Sequence, residues 1–327
     1  MNNKLKTRLL IIGLCLLTAI PVSATGCQGE QQPTSALTSA KALSSTLVPN
    51  MELDIYAYLK QGSPTTLPAD LTNVPFDIEV ESLAIWGVRI EDDFTFGGAL
   101  TLTSASQAVK IHSQIAPRED FWTKLSGSTI YVVQGSSTAA ESLKRAILNN
   151  DFKNYDDSQA LSAVAALPDG GTARLAGVVV AKPSKALISY MARVAKSEWL
   201  NTFNTALTLA RLNVVAAGIY SSGEIDVAKL SMAMEKKGAV TDLDSGILVL
   251  VKSGLPGFIV EPGVKRILSE AEFTEKSLDG LTLYHRSLGN PEAETIPVLV
   301  RIEGNRIFVA ISGKESYAQT LITGINL

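Results

Sequence analysis

A pattern of glycine, strand and helix recurs at a near-constant spacing along this chain of 327 residues, and it narrows the folds open to it. Gly127, Ile130, Tyr131 and Val132 return as Gly304, Ile307, Phe308 and Val309 at an offset of 177. After a one-residue insertion, Gly135, Ala140, Leu143 and Ile147 return as Gly313, Ala318, Leu321 and Ile325 at an offset of 178. Each copy predicts a turn at the first glycine, a buried strand, a second glycine that ends it, and a helix with apolar residues at i, i+3 and i+7.

The sequence around the two copies fits that frame in part. Residues 53–59 alternate apolar and polar side chains, as a half-buried strand does. Residues 76–90 and 94–103 predict two more strands, joined where Glu91, Asp92 and Asp93 crowd a turn. Ser104 then caps a predicted helix that ends near Ile115, with Ala108, Ile111 and Ile115 on one face. In the second half, residues 212–220 and 225–234 predict paired strands around Ser221-Ser222-Gly223, and 247–251 a buried strand. A helix over 262–271 and strands over 281–285, 295–302 and 306–311 precede the closing helix.

Pro168-Asp169-Gly170-Gly171 marks the seam, and a strand over 174–181 with a helical region over 183–212 connects or extends the units. In that region Leu187, Tyr190, Met191 and Val194 form an apolar stripe. The expected fold class is therefore α+β: mixed, largely antiparallel sheets with helices on one face, in two pseudo-repeated halves. The halves would span residues 50–168 and 169–327, packed as one body or as two.

The first thirty residues carry a different signal. Lys4, Lys6 and Arg8 precede an apolar run over 9–20, which is too short for a hydrocarbon core that needs roughly 20 residues of helix. Pro21 breaks the run, and Ala24-Thr25-Gly26-Cys27 follows. This arrangement resembles the signal peptide of bacterial lipoproteins. The resemblance implies that residues 1–26 are removed between Gly26 and Cys27, and that Cys27 is lipidated, its acyl chains including palmitate. Val22-Ser23-Ala24 also resembles the small-x-small site of ordinary secretion, with cleavage after Ala24, so a secreted protein is the alternative.

Beyond Cys27, residues 28–45 are rich in Gln, Ser, Thr, Gly and Ala, with Leu37 and Leu43 as their large apolar side chains. Such a stretch buries too little to offset the entropy of ordering, so a flexible tether is expected over 27–49. A helix over 35–47 is the rival reading, because Ala and Leu favour helices.

Charge and cysteine use bound the partners. The chain has 29 basic and 32 acidic residues, and losing Lys4, Lys6 and Arg8 with the leader moves the net charge from -3 to -6. An acidic body disfavours nucleic acid and leaves the lipid anchor as the expected link to a membrane. Cys15 lies in the leader and Cys27 would be acylated, so no thiol remains for a disulfide or a thiolate metal site.

No motif names a reaction. The two histidines, His112 and His285, belong to no ligand-spaced cluster. Gly135-Ser136-Ser137-Thr138 looks like a nucleophile elbow, but helix N-caps explain its hydroxyls. Ser312-Gly313-Lys314-Glu315 lacks the hydroxyl and the first glycine of a phosphate loop. The acids at 91–93 and Asp242-Leu243-Asp244-Ser245-Gly246 suit turns better than cation sites. Trp86, Trp122 and Trp199 each sit in an element whose apolar face can bury them, which argues against a sugar hydrolase.

No catalytic residue, cofactor or metal is therefore expected. The reading is a non-catalytic, membrane-anchored envelope lipoprotein on the extracytoplasmic face, binding or scaffolding an unknown envelope protein. The alternative is a carrier of a lipid or other hydrophobic ligand, to which Met232 and Met234 beside Leu230 would lend an adaptable pocket. A secreted hydrolase comes third.

Overall fold

The computed structural model describes residues 40–61, 65–66, 77–78, 80–115, 121–168, 175–182, 184, 187, 212–221, 245–288 and 296–325. Residues 1–39, with the expected leader, Gly26 and Cys27, lie outside them, as do Trp199, the strand expected over 225–234 and Tyr190, Met191 and Val194.

The chain enters through a short helix, α1 (Ala40–Ser44), and a three-residue strand, β1 (Leu47–Pro49). The part of the expected 27–49 tether that is described, residues 40–49, thus carries a helix and a strand. The physical reason is Leu43, which is fully buried in the main core, with Val48 at 1% exposure beside it. Two buried apolar side chains suffice to anchor a segment whose composition is otherwise polar.

β2 (Leu53–Gln61), β5 (Val80–Ile90) and β6 (Asp93–Leu102) form a meander, with the two-residue strands β3 (Thr65–Thr66) and β4 (Asp77–Ile78) paired apart from it. α2 (Ala105–Ile115) leads to the hairpin of β7 (Phe121–Ser126) and β8 (Thr129–Gln134), and then to α3 (Thr138–Leu148). β9 (Phe152–Asn154) pairs with β1, and α4 (Ser158–Ala165) closes this half.

The second half runs β10 (Leu175–Ala181), β11 (Leu212–Ser221), β12 (Ser245–Ser253) and α5 (Gly257–Glu270). β13 (Thr274–Leu278), β14 (Leu281–Leu288), β15 (Ile296–Glu303), β16 (Arg306–Ser312) and α6 (Glu315–Thr323) follow. α5 begins five residues before the expected 262, because Pro256 and Gly257 start it and Pro262 falls inside it.

Twelve strands make one sheet in the order β13-β14-β15-β16-β12-β11-β10-β2-β5-β6-β8-β7. Every described ladder is antiparallel, so the fold is α+β with antiparallel rather than mixed pairing. The β2–β10 ladder, from Gln61↔Leu175 to Ile55↔Ala181, joins strands from either side of the expected seam.

The helices occupy both faces, which corrects the expectation of one. Val133 from β8 and Phe308 and Ala310 from β16 share a core with Leu143 and Ile147 of α3, Ala160 and Val164 of α4, and Ala318 and Leu321 of α6. The alternate residues point the other way. Ile130 meets Ala108 and Ile111 of α2, while Ile307, Val309 and Ile311 lie in a cluster with Leu268 of α5. α2 leaves after β6 and leads to the edge strand β7, and α5 leaves after β12 and leads to the other edge strand, β13, both on the face opposite α3 and α6.

On the α3/α6 face, one transverse row runs through Val133, Gly97, Trp86, Tyr56, Val180, Ala216, Leu250 and Phe308, all buried. Gly97 is there because of α3: a Cβ on it would stand 2.5 Å from Leu143 Cδ2. Gly246 stands in the same relation to α6, where a Cβ would come 2.7 Å from Leu321 Cδ1. Gly97→Ala should therefore destabilise the fold by about 1–3 kcal/mol in urea titration. Leu143→Ala should recover part of that loss when the two are combined, and simple additivity within about 0.3 kcal/mol would refute the proposed contact.

Candidate functional site

The described charged side chains that reach the interior come from strands whose pattern is otherwise apolar. Asp54 is 3% exposed, one residue before Ile55 on β2. Its Oδ1 accepts from Arg89 Nε at 3.2 Å, and its Oδ2 accepts from the hydroxyl of Ser184. Ser184 Oγ in turn accepts from the Leu187 backbone N–H at 3.0 Å. Leu187 packs on Ile55 and Phe94, on the face opposite Tyr56. Asp54 thus ties β2 to β5 and to the chain leaving β10.

Arg89 also pairs with Glu52. Burial pulls the Arg89 pKa down, but the hydrogen bond and charge of Asp54, with Glu52, raise it above its ordinary value. Lys182, just past β10, donates its backbone N–H to the Asp54 carbonyl at 2.7 Å and its ammonium to Asp157. Asp157 is the N-cap of α4, accepting from Ala160 N at 2.9 Å. Both Asp54 oxygens are engaged, so this network locks strands together and offers no free base.

Other charges serve helix ends. Asp93 Oδ2 accepts from Ala139 N at 2.8 Å at the start of α3, and its Oδ1 accepts from Phe94 N at 2.9 Å. The three acids at 91–93 therefore do not converge: Glu91 and Asp92 are exposed at the turn, and Asp93 faces α3. At the other end of α3, Lys124 Nζ donates to the Ile147 carbonyl at 3.1 Å. Arg301 is 4% exposed, and its Nη1 lies 3.4 Å from the Ile322 carbonyl near the end of α6. Cations there neutralise carbonyls that no helical N–H can reach.

The expected sites resolve individually. His112 Nε2 lies 3.2 Å from Thr123 Oγ1, holding α2 on β7. Ser137 is the N-cap of α3, its Oγ accepting from Ala140 N at 3.3 Å. Ser312 Oγ accepts from Lys314 N at 3.2 Å in the turn before α6. Asp242, Leu243 and Asp244 lie outside the described residues, as do Met232 and Met234. No described helix is long and apolar enough to cross a membrane, and no three His, Cys, Asp or Glu side chains among the described residues are placed to share a metal.

Two settings remain as places where something other than packing is arranged. The first is aromatic. Trp86 is 1% exposed, and its ring lies 6.4 Å from Tyr131 and 6.1 Å from Phe152, which are themselves 5.8 Å apart. Trp86 Nε1 is buried with no hydrogen-bond partner among the described residues. Tyr56 and Tyr155 adjoin this group at 4.6 Å from each other, and burial raises both hydroxyls' pKa values well above the ordinary one.

The second is polar. Glu315, in the first turn of α6, accepts from Lys276 Nζ at 2.8 Å and from Gln319 Nε2 at 3.1 Å, with His285 Nε2 3.9 Å away. The Lys276 hydrogen bond holds the Glu315 carboxyl below its ordinary 4.5; burial opposes it, and the charges of Lys276 and His285 reinforce it.

Sequence reasoning missed Asp54, Arg89, Lys124 and Arg301. A signal existed for the last two: Lys124 and Arg301 stand 177 residues apart, the offset that separates Gly127 from Gly304, and both are basic.

Because the folded pKa of Glu315 is depressed, its contribution to stability is present above the unfolded value and is lost as pH falls through the folded one. Urea midpoints followed from about pH 6 to about pH 3 should thus fall less steeply in Glu315→Gln than in the parent. Comparison of the chain with protein-family models, with curated proteins and with solved structures found no match.

Proposed function

We propose that this protein is a non-catalytic lipoprotein of the cell envelope, anchored through Cys27 to the extracytoplasmic face of a membrane, with a binding or scaffolding role. The observation that carries the reading is the leader: Lys4, Lys6 and Arg8, the apolar run over 9–20, and Ala24-Thr25-Gly26-Cys27. The Cys27 thiol takes a diacylglyceryl group from a phospholipid, whose phosphate headgroup leaves, and cleavage between Gly26 and Cys27 then frees the lipidated N-terminus. Residues 28–39 then separate the anchor from α1. The body is acidic, so the acyl chains rather than net charge hold it at the surface. Its partner in this reading is another protein of the envelope.

We also infer that the two halves are pseudo-repeats. Support comes from strand order: β2-β5-β6-β8-β7 runs outward on one side of the sheet and β10-β11-β12-β16-β15 on the other, with β13–β14 added at the end. Gly127 and Gly304 both have positive φ, 60° and 61°, in two-residue turns that demand it. Lys124 and Arg301 sit opposite Tyr131 and Phe308 and reach the last turns of α3 and α6.

A carrier of a hydrophobic ligand is the second reading, favoured by the unpartnered Trp86 N–H among the rings of Tyr131 and Phe152. A ligand carbonyl accepting from Nε1 would satisfy that donor.

Labelled palmitate should enter the protein, and Cys27→Ser should abolish labelling and move the protein to the soluble fraction; an unlabelled parent with its leader intact overturns the anchor. For the duplication, Lys124→Met should cost about 1 kcal/mol and Arg301→Met about 2 kcal/mol. Amide exchange should rise in the last turn of α3 in the first variant and of α6 in the second.

A further inference from the structure

The twelve-stranded sheet ends in two edges, β13 and β7. β13 is guarded: Thr274, Glu275, Lys276 and Ser277 are exposed, and charged side chains on an edge discourage another strand from pairing with it. β7 lacks such a guard. Its sequence, Phe121-Trp122-Thr123-Lys124-Leu125-Ser126, holds one charge, and the Lys124 ammonium is already engaged by the Ile147 carbonyl.

The register fixes which backbone groups this edge offers. The two-residue turn at Gly127-Ser128 makes Ser126↔Thr129 a hydrogen-bonded pair, so Lys124 and Trp122 also turn their N–H and C=O toward β8. Ser128 O accepts from Leu102 N at 3.0 Å on the β6 side, as that alternation requires. Phe121, Thr123 and Leu125 therefore turn their backbone groups outward, where no described strand pairs with them. The second half shows what such an edge accepts. β15 stands beside β16 as β7 stands beside β8, and Val298 and Val300, 177 residues beyond Phe121 and Thr123, pair with Arg286 and Tyr284 of β14.

The β7 segment is complementary to itself. Antiparallel pairing with a second β7 about Thr123 sets Thr123 opposite Thr123, Phe121 opposite Leu125, and Trp122 opposite Lys124. Thr123 and Leu125 face α2, with Phe121 in phase, while Trp122 and Lys124 face the main core and α3. On one face apolar side chains meet beside paired hydroxyls, and on the other a lysine meets an indole; no like charges stand directly opposite. α2 adds to this edge. His112 Nε2 lies 3.2 Å from Thr123 Oγ1, so that side of the helix overlies β7, and Val109, one turn earlier, is 56% exposed.

We propose that two copies of this chain pair antiparallel along β7, about a two-fold axis through Thr123 normal to the sheet, joining their twelve-stranded sheets into one. This contact is isologous and closes at two copies, whereas pairing β7 with β13 would propagate without closing and meets the charged guard. The dimer does not depend on the lipid anchor and is compatible with it. A two-fold axis normal to the sheet keeps both α1 helices on the α3/α6 face, where Leu43 packs, so two anchors can reach one membrane.

The experiment takes residues 27–327, which hold every described element, with Cys27→Ser, leaving a chain without cysteine. Sedimentation equilibrium at about 50 µM should show a dimer. Thr123→Lys, which sets like charges directly opposite, should weaken it about tenfold or more. Thr123→Val loses the same hydroxyl but keeps a β-branched side chain, and its dimer should stay within about threefold of the parent. Thermal unfolding, read at a dilution where the parent is monomeric, checks that both variants fold. Thr123→Cys should form a disulfide-linked dimer on mild oxidation, because Cα atoms of such a pair stand about 5.5 Å apart. Ser277→Cys, on the β13 edge, should stay unlinked.

A chain that remains monomeric overturns the proposal, whether its β7 edge stays bare or takes a strand of another protein. So does a dimer that Thr123→Lys leaves unchanged, or cross-linking through Ser277→Cys as ready as through Thr123→Cys.

Discussion

The antiparallel ladder between β2 and β10 is the constraint on which the rest of the architecture depends. Seven consecutive pairs, from Gln61↔Leu175 to Ile55↔Ala181, join strands that are more than a hundred residues apart in the chain. Without them the molecule would have two small sheets, each with an exposed central edge of unpaired backbone groups. With them, Tyr56 and Val180 become neighbours in a buried row that continues through Trp86 on one side and Ala216, Leu250 and Phe308 on the other. The Asp54 network sits at one end of this ladder and uses Arg89, Ser184 and Lys182 to fix its neighbours.

Charge at the helix ends of this protein follows a common logic. Asp93, Asp157, Lys124 and Arg301 each meet backbone groups that a helix end leaves without a partner. Such groups are costly to bury and are satisfied here by strands or loops rather than by water. This arrangement makes helix placement depend on the sheet: α3 is held at both ends by residues of β6 and β7, and α6 at its last turn by β15. The proposed duplication would account for why Lys124 and Arg301 do the same work in two places.

Much of the strand content was legible in the sequence because alternation has a period of two wherever one face is buried more than the other. Residues 53–59, 94–103 and 306–311 fall within or nearly match β2, β6 and β16. Gly127 and Gly304 also announced their turns, since a left-handed conformation in a two-residue hairpin selects glycine. β13 carried no such signal: four of its five residues are exposed, and it exists because β14 offers it an edge. α4 was missed for a different reason, its Ala-rich sequence over Ser158–Ala165 lacking a broad apolar stripe until Asp157 caps it and the sheet covers it. Asp54 and Arg89 were illegible as a pair because 35 residues separate them and their pairing follows from the β2–β5 register.

The sequence by itself determined the local features: which stretches alternate and where glycine must turn the chain. These depend on near neighbours and on intrinsic backbone preferences. Tertiary structure alone decided that both halves share one sheet, that α2 and α5 cross the face opposite α3 and α6, and that Leu43 fastens the chain's entry. Those choices depend on which distant surfaces exclude water together, and burial between remote segments has no fixed spacing to leave in a sequence.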